Sequence, residues 1–66
     1  MKTYDVYFND ATGSNNKGFN ESFDYCMSYI EDYNGTDESY FGDYKGGRVS
    51  IVRNETGEEI YSENVR

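Results

Sequence analysis

The tightest constraint on this chain is how little it has to build a core from. Among its 66 residues there is no leucine, and isoleucine, valine and phenylalanine together number eleven. At a net charge of −7, that inventory is what a disordered segment carries. A domain this short is also near the lower limit for burying a core of its own. Two features argue for folding nonetheless. The apolar residues recur with clear periodicity, and eight tyrosines substitute for the missing leucines, since a tyrosyl ring buries area while its hydroxyl stays wet. The expectation is one small folded domain over residues 1–66, with several tyrosine rings at its rim.

Thr3–Phe8 alternates, with Tyr4, Val6 and Phe8 on one side and Thr3, Asp5 and Tyr7 on the other, the period of a strand with one covered face. Asn9–Gly18 is polar and aperiodic, and reads as a loop. Phe19, Phe23, Cys26, Met27, Ile30 and Tyr33 then fall on one stripe of an amphipathic helix about four turns long. Asn20 suits its N-cap, Glu21 and Asp24 suit the positive end of its dipole, and Asn34-Gly35 supplies a left-handed stop. Glu31 and Asp32 sit at the negative end, where each costs about 0.3–1 kcal/mol if exposed. Thr36–Gly47 is an acidic, aromatic loop ending in two glycines. Arg48–Arg53 and Glu58–Val65 read as strands joined by Asn54-Glu55-Thr56-Gly57, a type I turn with Gly57 left-handed. That turn puts Arg53 opposite Glu59, Val52 opposite Ile60 and Ile51 opposite Tyr61. Both faces of this hairpin carry apolar residues, so the pattern leaves open which one meets the helix.

The sum is an α+β fold of the β-α-β-β type, one helix on a three-stranded sheet. The first strand can pair antiparallel with the last, giving order 1-3-2, or parallel with the middle one, giving 1-2-3. Antiparallel pairs are commoner, so 1-3-2 is the expected order. The sheet's edges leave room for a homodimer or a partner's strand.

Most catalytic and metal chemistry lacks its residues. There is no histidine, which removes the usual general base and the usual zinc ligand. Cys26, the one cysteine, can form no internal disulfide, and its place on the apolar stripe reads as a core thiol rather than a nucleophile. Glu31-Asp32, Asp37-Glu38 and Glu58-Glu59 are chain neighbours, which seldom converge on one substrate atom. Asp32, Asn34, Thr36 and Glu38 alternate like calcium ligands, but the glycine stands fourth rather than sixth as an EF-hand requires. Gly13–Gly18 lacks the Gly-Lys-Ser/Thr end of a phosphate loop. The expectation is a protein that is not an enzyme, with no cofactor and no metal. No apolar run marks a signal or a membrane span, so a cytoplasmic setting is expected. The sequons at Asn20, Asn34 and Asn54 read as caps and turns.

The charge is placed as unevenly as the apolar residues are scarce. Between Gly18 and Tyr44 lie seven acids and no Lys or Arg, while the remaining six acids are matched by six basic residues. The same segment holds five of the tyrosines. Carboxylates and tyrosines together suit a basic protein surface, through steering and through aromatic contact area. They repel nucleic acid and anionic membranes, and the few basic residues do not cluster. The residues expected to meet a partner are Glu21, Asp24, Tyr25, Tyr29, Glu31, Asp32, Asp37, Glu38, Tyr40, Asp43 and Tyr44. The same features also fit a helix face and loop that are merely solvated.

In its small size, acidity, Tyr- and Asn-rich composition and β-α-β-β layout, the chain resembles phage-encoded inhibitors, including anti-CRISPR proteins that mimic DNA. The resemblance covers the whole chain and carries no motif residues. It implies a non-enzymatic acidic binder that blocks a basic, nucleic-acid-binding protein surface. The competing expectation is a small accessory or structural domain that self-associates through its sheet.

Overall fold

The computed structural model describes residues 2–66, in which the elements run β1 (Tyr4–Asp10), β2 (Gly13–Glu21), α1 (Phe23–Tyr33), α2 (Tyr40–Asp43), β3 (Arg48–Arg53) and β4 (Glu58–Asn64). The class is α+β as expected, but the sheet has four antiparallel strands in the order β2-β1-β3-β4. This corrects the three-stranded β-α-β-β layout and its 1-3-2 order. The extra strand is the segment that reads as a loop. It folds back on β1 from Asp10↔Gly13 to Tyr4↔Glu21.

That hairpin also settles the pairing. One added strand reverses the direction in which the chain enters the helix. The Arg48–Arg53 strand therefore returns antiparallel to β1, with Tyr4 opposite Arg53 and Asn9 opposite Arg48. Without β2, a helix crossover would deliver it parallel, and the commoner antiparallel pairing would then fall to the last strand. The last strand pairs only with β3 and lies at the far edge.

The β1–β2 turn needs no left-handed residue pair because a side chain closes it. Asp10 Oδ1 accepts hydrogen bonds from the Thr12 amide at 2.8 Å, the Thr12 hydroxyl at 2.7 Å and the Gly13 amide at 3.1 Å, and these hold the Asp10 carboxyl below its ordinary pKa, the Thr12 hydroxyl contributing most. In the last hairpin Gly57 is left-handed as expected, at φ 73°, and its amide donates to the Arg53 carbonyl at 2.8 Å. The register differs by one residue near the turn, with Arg53 opposite Glu58 and Val52 opposite Glu59. An irregularity between Ile51 and Val52 absorbs the slip, so Ile51 still faces Tyr61.

The core lies between one sheet face and the helices. Val6, Phe8, Val49 and Ile51 meet Cys26 and Ile30 of α1, Phe41 of α2, Tyr44 and Val65. Phe8 is the hub, with its ring 4.8 Å from Phe41, 5.5 Å from Tyr40 and 5.9 Å from Tyr44. Among the described residues, the other face, with Tyr7, Ser50 and Val52, carries no second layer. There the Ser50 hydroxyl, almost wholly buried, donates to Glu59 Oε1 at 2.8 Å.

Helix α1 begins at Phe23 with Ser22 as its N-cap, the hydroxyl accepting from the Tyr25 amide at 3.1 Å. Asn20, the expected cap, instead belongs to β2 at φ 53°. Its amide donates to Asp5 Oδ1 at 3.0 Å. Phe19 likewise leaves the helical stripe for β2 but still packs beneath it. The stop falls where expected, since the Asn34 amide closes on the Ile30 carbonyl at 2.8 Å and Gly35 follows at φ 97°. Asn34 is buried because its side chain donates to Glu63 and to the Asn64 carbonyl and accepts from the Arg66 amide, tying the helix end to the end of the chain. Among the described residues no helix is long and apolar enough to cross a membrane.

Candidate protein-binding surface

Helix α1 turns Cys26 and Ile30 inward, which leaves Asp24, Tyr25, Ser28, Glu31 and Asp32 exposed. Tyr25, Tyr29 and Tyr33 repeat every fourth residue and so form one row along the helix. The row lies on the flank next to β2. Phe19 contacts it edge-on, 5.3 Å from Tyr25 and 5.0 Å from Tyr29. Tyr29 in turn lies 5.4 Å from Tyr33 and 5.4 Å from Phe41, which joins the row to α2.

Two depressions flank these rings. One, of about 400 Å³, runs between the row and β2 and is lined by Lys17, Phe19, Tyr25, Tyr29, Tyr33, Glu38 and Ser39. The other, of about 210 Å³, lies along the exposed helix surface among Tyr25, Ser28, Tyr29, Asp32 and Tyr33. Burial raises the Tyr29 hydroxyl's pKa, with the Ser39 hydroxyl opposing the shift, although the two lack hydrogen-bond geometry and Tyr29 Oη has no partner among the described residues. Ser39 itself has φ 52° and ψ −139°, a region sparsely populated by residues other than glycine.

The carboxylates divide into two groups by what they do. Outside the acidic segment, five of the six acids, Asp5, Asp10, Glu58, Glu59 and Glu63, accept side-chain or backbone hydrogen bonds that hold the sheet and its turns, and Glu55, exposed in the last turn, accepts none among the described residues. Inside it, Glu21, Asp24, Glu31, Asp32, Glu38 and Asp43 are exposed, and their carboxylates have no hydrogen-bond donor or cation among the described residues. Only Asp37 is paired, 3.4 Å from Lys45 Nζ in an exposed contact.

The expected partner residues therefore fall in three places. The seven acids and Tyr25, which is 48% exposed, are on the surface. Tyr29 and Tyr40 are half-buried, Tyr40 lying 5.2 Å beneath the Lys17 ammonium. Tyr44 is in the core, and its hydroxyl accepts from Asn15 Nδ2 at 2.9 Å, so it is not part of the presented surface. Sequence reasoning left Lys17, Phe19 and Ser39 off the site. Phe19 and Lys17 share a face in alternation with Gly18, the one signal that could have placed them together on a strand.

The remaining chemistry is sparse. Cys26 is fully buried, its thiol donates to the Tyr4 carbonyl at 3.7 Å, and its pKa is raised to about 11, by burial first and then by the charges of Asp5 and Glu21. It behaves as the core thiol expected. Among the described residues no three His, Cys, Asp or Glu side chains are grouped to hold a metal ion. Comparison with family models, with curated proteins and with solved structures found no match to this chain.

Proposed function

We propose that this protein is a cytoplasmic, non-enzymatic binder that covers a basic surface of another protein, one that itself binds nucleic acid, in the manner of the phage-type inhibitors it resembles. The observation that supports this most is the division of the carboxylates. Five acids outside the acidic segment hold the sheet and its turns, whereas of the seven acids with no partner among the described residues, six lie between Glu21 and Asp43 and only Glu55, in the last turn, lies outside it. Two of those six, Asp32 and Glu38, line the hollows beside the row of tyrosines. Free carboxylates raise the rate of encounter with a basic groove, and rings supply area once contact is made. A surface of this kind competes with a phosphate backbone for the same Lys and Arg side chains.

The test is capture of partners from host lysate at low and high salt, followed by affinity measurement with and without DNA or RNA. The reading expects a partner with a basic groove, held at low salt, lost at high salt and displaced by nucleic acid. Binding that ignores salt and coexists with nucleic acid on the same partner rules it out. Concentration-dependent mass with no partner points instead to self-association through the uncovered sheet face and edges.

A further inference from the structure

We infer that the hollow formed by Tyr25, Ser28, Tyr29, Asp32 and Tyr33 seats an arginine side chain of the protein partner. The inference rests on the reading that the acidic surface meets a basic protein, and it names the contact that would anchor it.

Helical spacing assembles the hollow. The three tyrosines recur at every fourth residue, and Ser28 and Asp32 each sit one position before a ring, so a hydroxyl and a carboxylate line the hollow together with the three rings. Asp32 has no donor or cation among the described residues, and no basic side chain of the chain lines this hollow. Two of the rings are exposed, Tyr25 at 48% and Tyr33 at 39%.

A guanidinium matches each of these features. It is planar and can stack on a tyrosyl ring, it is more weakly hydrated than an ammonium, and its fork of donors can reach a carboxylate and a hydroxyl together. Lysine offers a compact, strongly hydrated charge with no face to stack. The chain already makes one contact of the cation-on-ring kind, Lys17 over Tyr40, on the far side of the tyrosine row.

The chain's own arginines are poor candidates for the seat. Arg53 is held by Glu58 at 3.4 Å, Arg48 by the Ser62 hydroxyl, and Arg66 by the Asn34 carbonyl at 3.5 Å. A second copy would have to release one of them. Nucleic acid is disfavoured by Asp32 and the neighbouring Glu31, which repel phosphate.

The experiment compares two synthetic peptides of equal length and charge, with four arginines or four lysines spaced by Gly-Ser, titrated into the ¹⁵N-labelled protein at low salt. The arginine peptide is expected to bind about threefold tighter or more and to shift the Ser28 and Asp32 amides. Asp32→Asn and the pair Tyr25→Leu, Tyr33→Leu should each reduce that preference while leaving the melting temperature near wild type. Asp32→Asn carries the test if the leucine pair unfolds. Equal affinity for the two peptides overturns the seat and leaves charge-driven binding standing. An arginine preference that survives these variants also overturns it, by placing the contact elsewhere. Failure of both peptides to bind at low salt overturns the acidic-surface reading along with the seat.

Discussion

Two glycines separate two reasons for needing glycine. At Gly57 the backbone is left-handed, φ 73°, but a Cβ there would meet nothing within 4 Å. Gly57→Ala should therefore cost only the backbone term, about 1–2 kcal/mol. At Gly47 an added Cβ would stand 2.2 Å from the Asn9 carbonyl oxygen. Gly47 also accepts from the Val65 amide at 2.9 Å, so it cannot retreat without loosening the end of the chain. Gly47→Ala should be the more damaging change, and thermal melts of the two variants check the order. Cys26 gives a pH signature. Its thiol ionises near 9.0 when unperturbed and near 11 in the fold. Above pH 9 the unfolded chain loses this proton while the native state keeps it, so the thiol's contribution to stability is intact below 9 and lost as pH rises through 11. Denaturant titrations from pH 8 to 11 should show a steeper alkaline loss in wild type than in Cys26→Ala. Thiol reagents should label Cys26 slowly at neutral pH.

At the scale of elements, the helix and the last hairpin were legible and β2 was not, for physical reasons. Helix α1 announces itself because its inward residues, Cys26 and Ile30, fall at helical spacing and its end is marked by Asn34-Gly35. The last hairpin carries β-branched residues and a glycine where the turn needs one. Strand β2, Gly13–Glu21, has neither. It is an edge strand whose inward positions are Asn15, Lys17 and Phe19, of which only Phe19 is apolar. Asn15 and Lys17 are held by Tyr44 and Tyr40, residues distant in the chain, and no local pattern reports such contacts. Misreading β2 displaced Phe19 and hid half of the tyrosine groove. It also inverted the pairing, since one unseen strand reverses every later direction. The acidic positions needed no fold to be found, because charge is visible residue by residue. Tyr44 shows the limit of that approach, since composition cannot tell a rim tyrosine from a core one. The strand makes its own prediction. Amides of β2 should be protected from hydrogen exchange, less than those of β1 and β3, where a loop would show no protection. Asp10→Ala should speed exchange in β2 and leave α1 unchanged. Acid should act in the same direction. The folded Asp10 carboxyl lies below the ordinary 3.8, so its contribution is present above that value and is lost as pH falls through the folded pKa.

For the whole molecule, the question is whether the uneven charge is a burden on the fold that function maintains. Changing Glu31, Asp32, Asp37 and Glu38 to their amides separates the two. Three of these carboxylates have no partner in the structure. Glu31 and Asp32 lie in the last three residues of α1, where each opposes the dipole by about 0.3–1 kcal/mol. The fourth, Asp37, would lose one exposed ion pair with Lys45, worth about 0–1 kcal/mol. Relief of repulsion in a chain of net charge −7 adds to the first side. The variant should therefore melt at the wild-type temperature or slightly above it, and a clear fall would show that these acids hold the fold together. Against a basic partner the same variant should bind more weakly, chiefly through slower association and with a shallower dependence on salt, since long-range steering acts before contact. Truncating the exposed ring of Tyr25 to alanine should act on the other rate, speeding dissociation with little change in association, because it removes contact area and no charge. Stopped-flow measurement of both rates across salt reads the two effects separately. A quadruple variant that associates as fast as wild type would mean that the acidic segment is only a solvated surface.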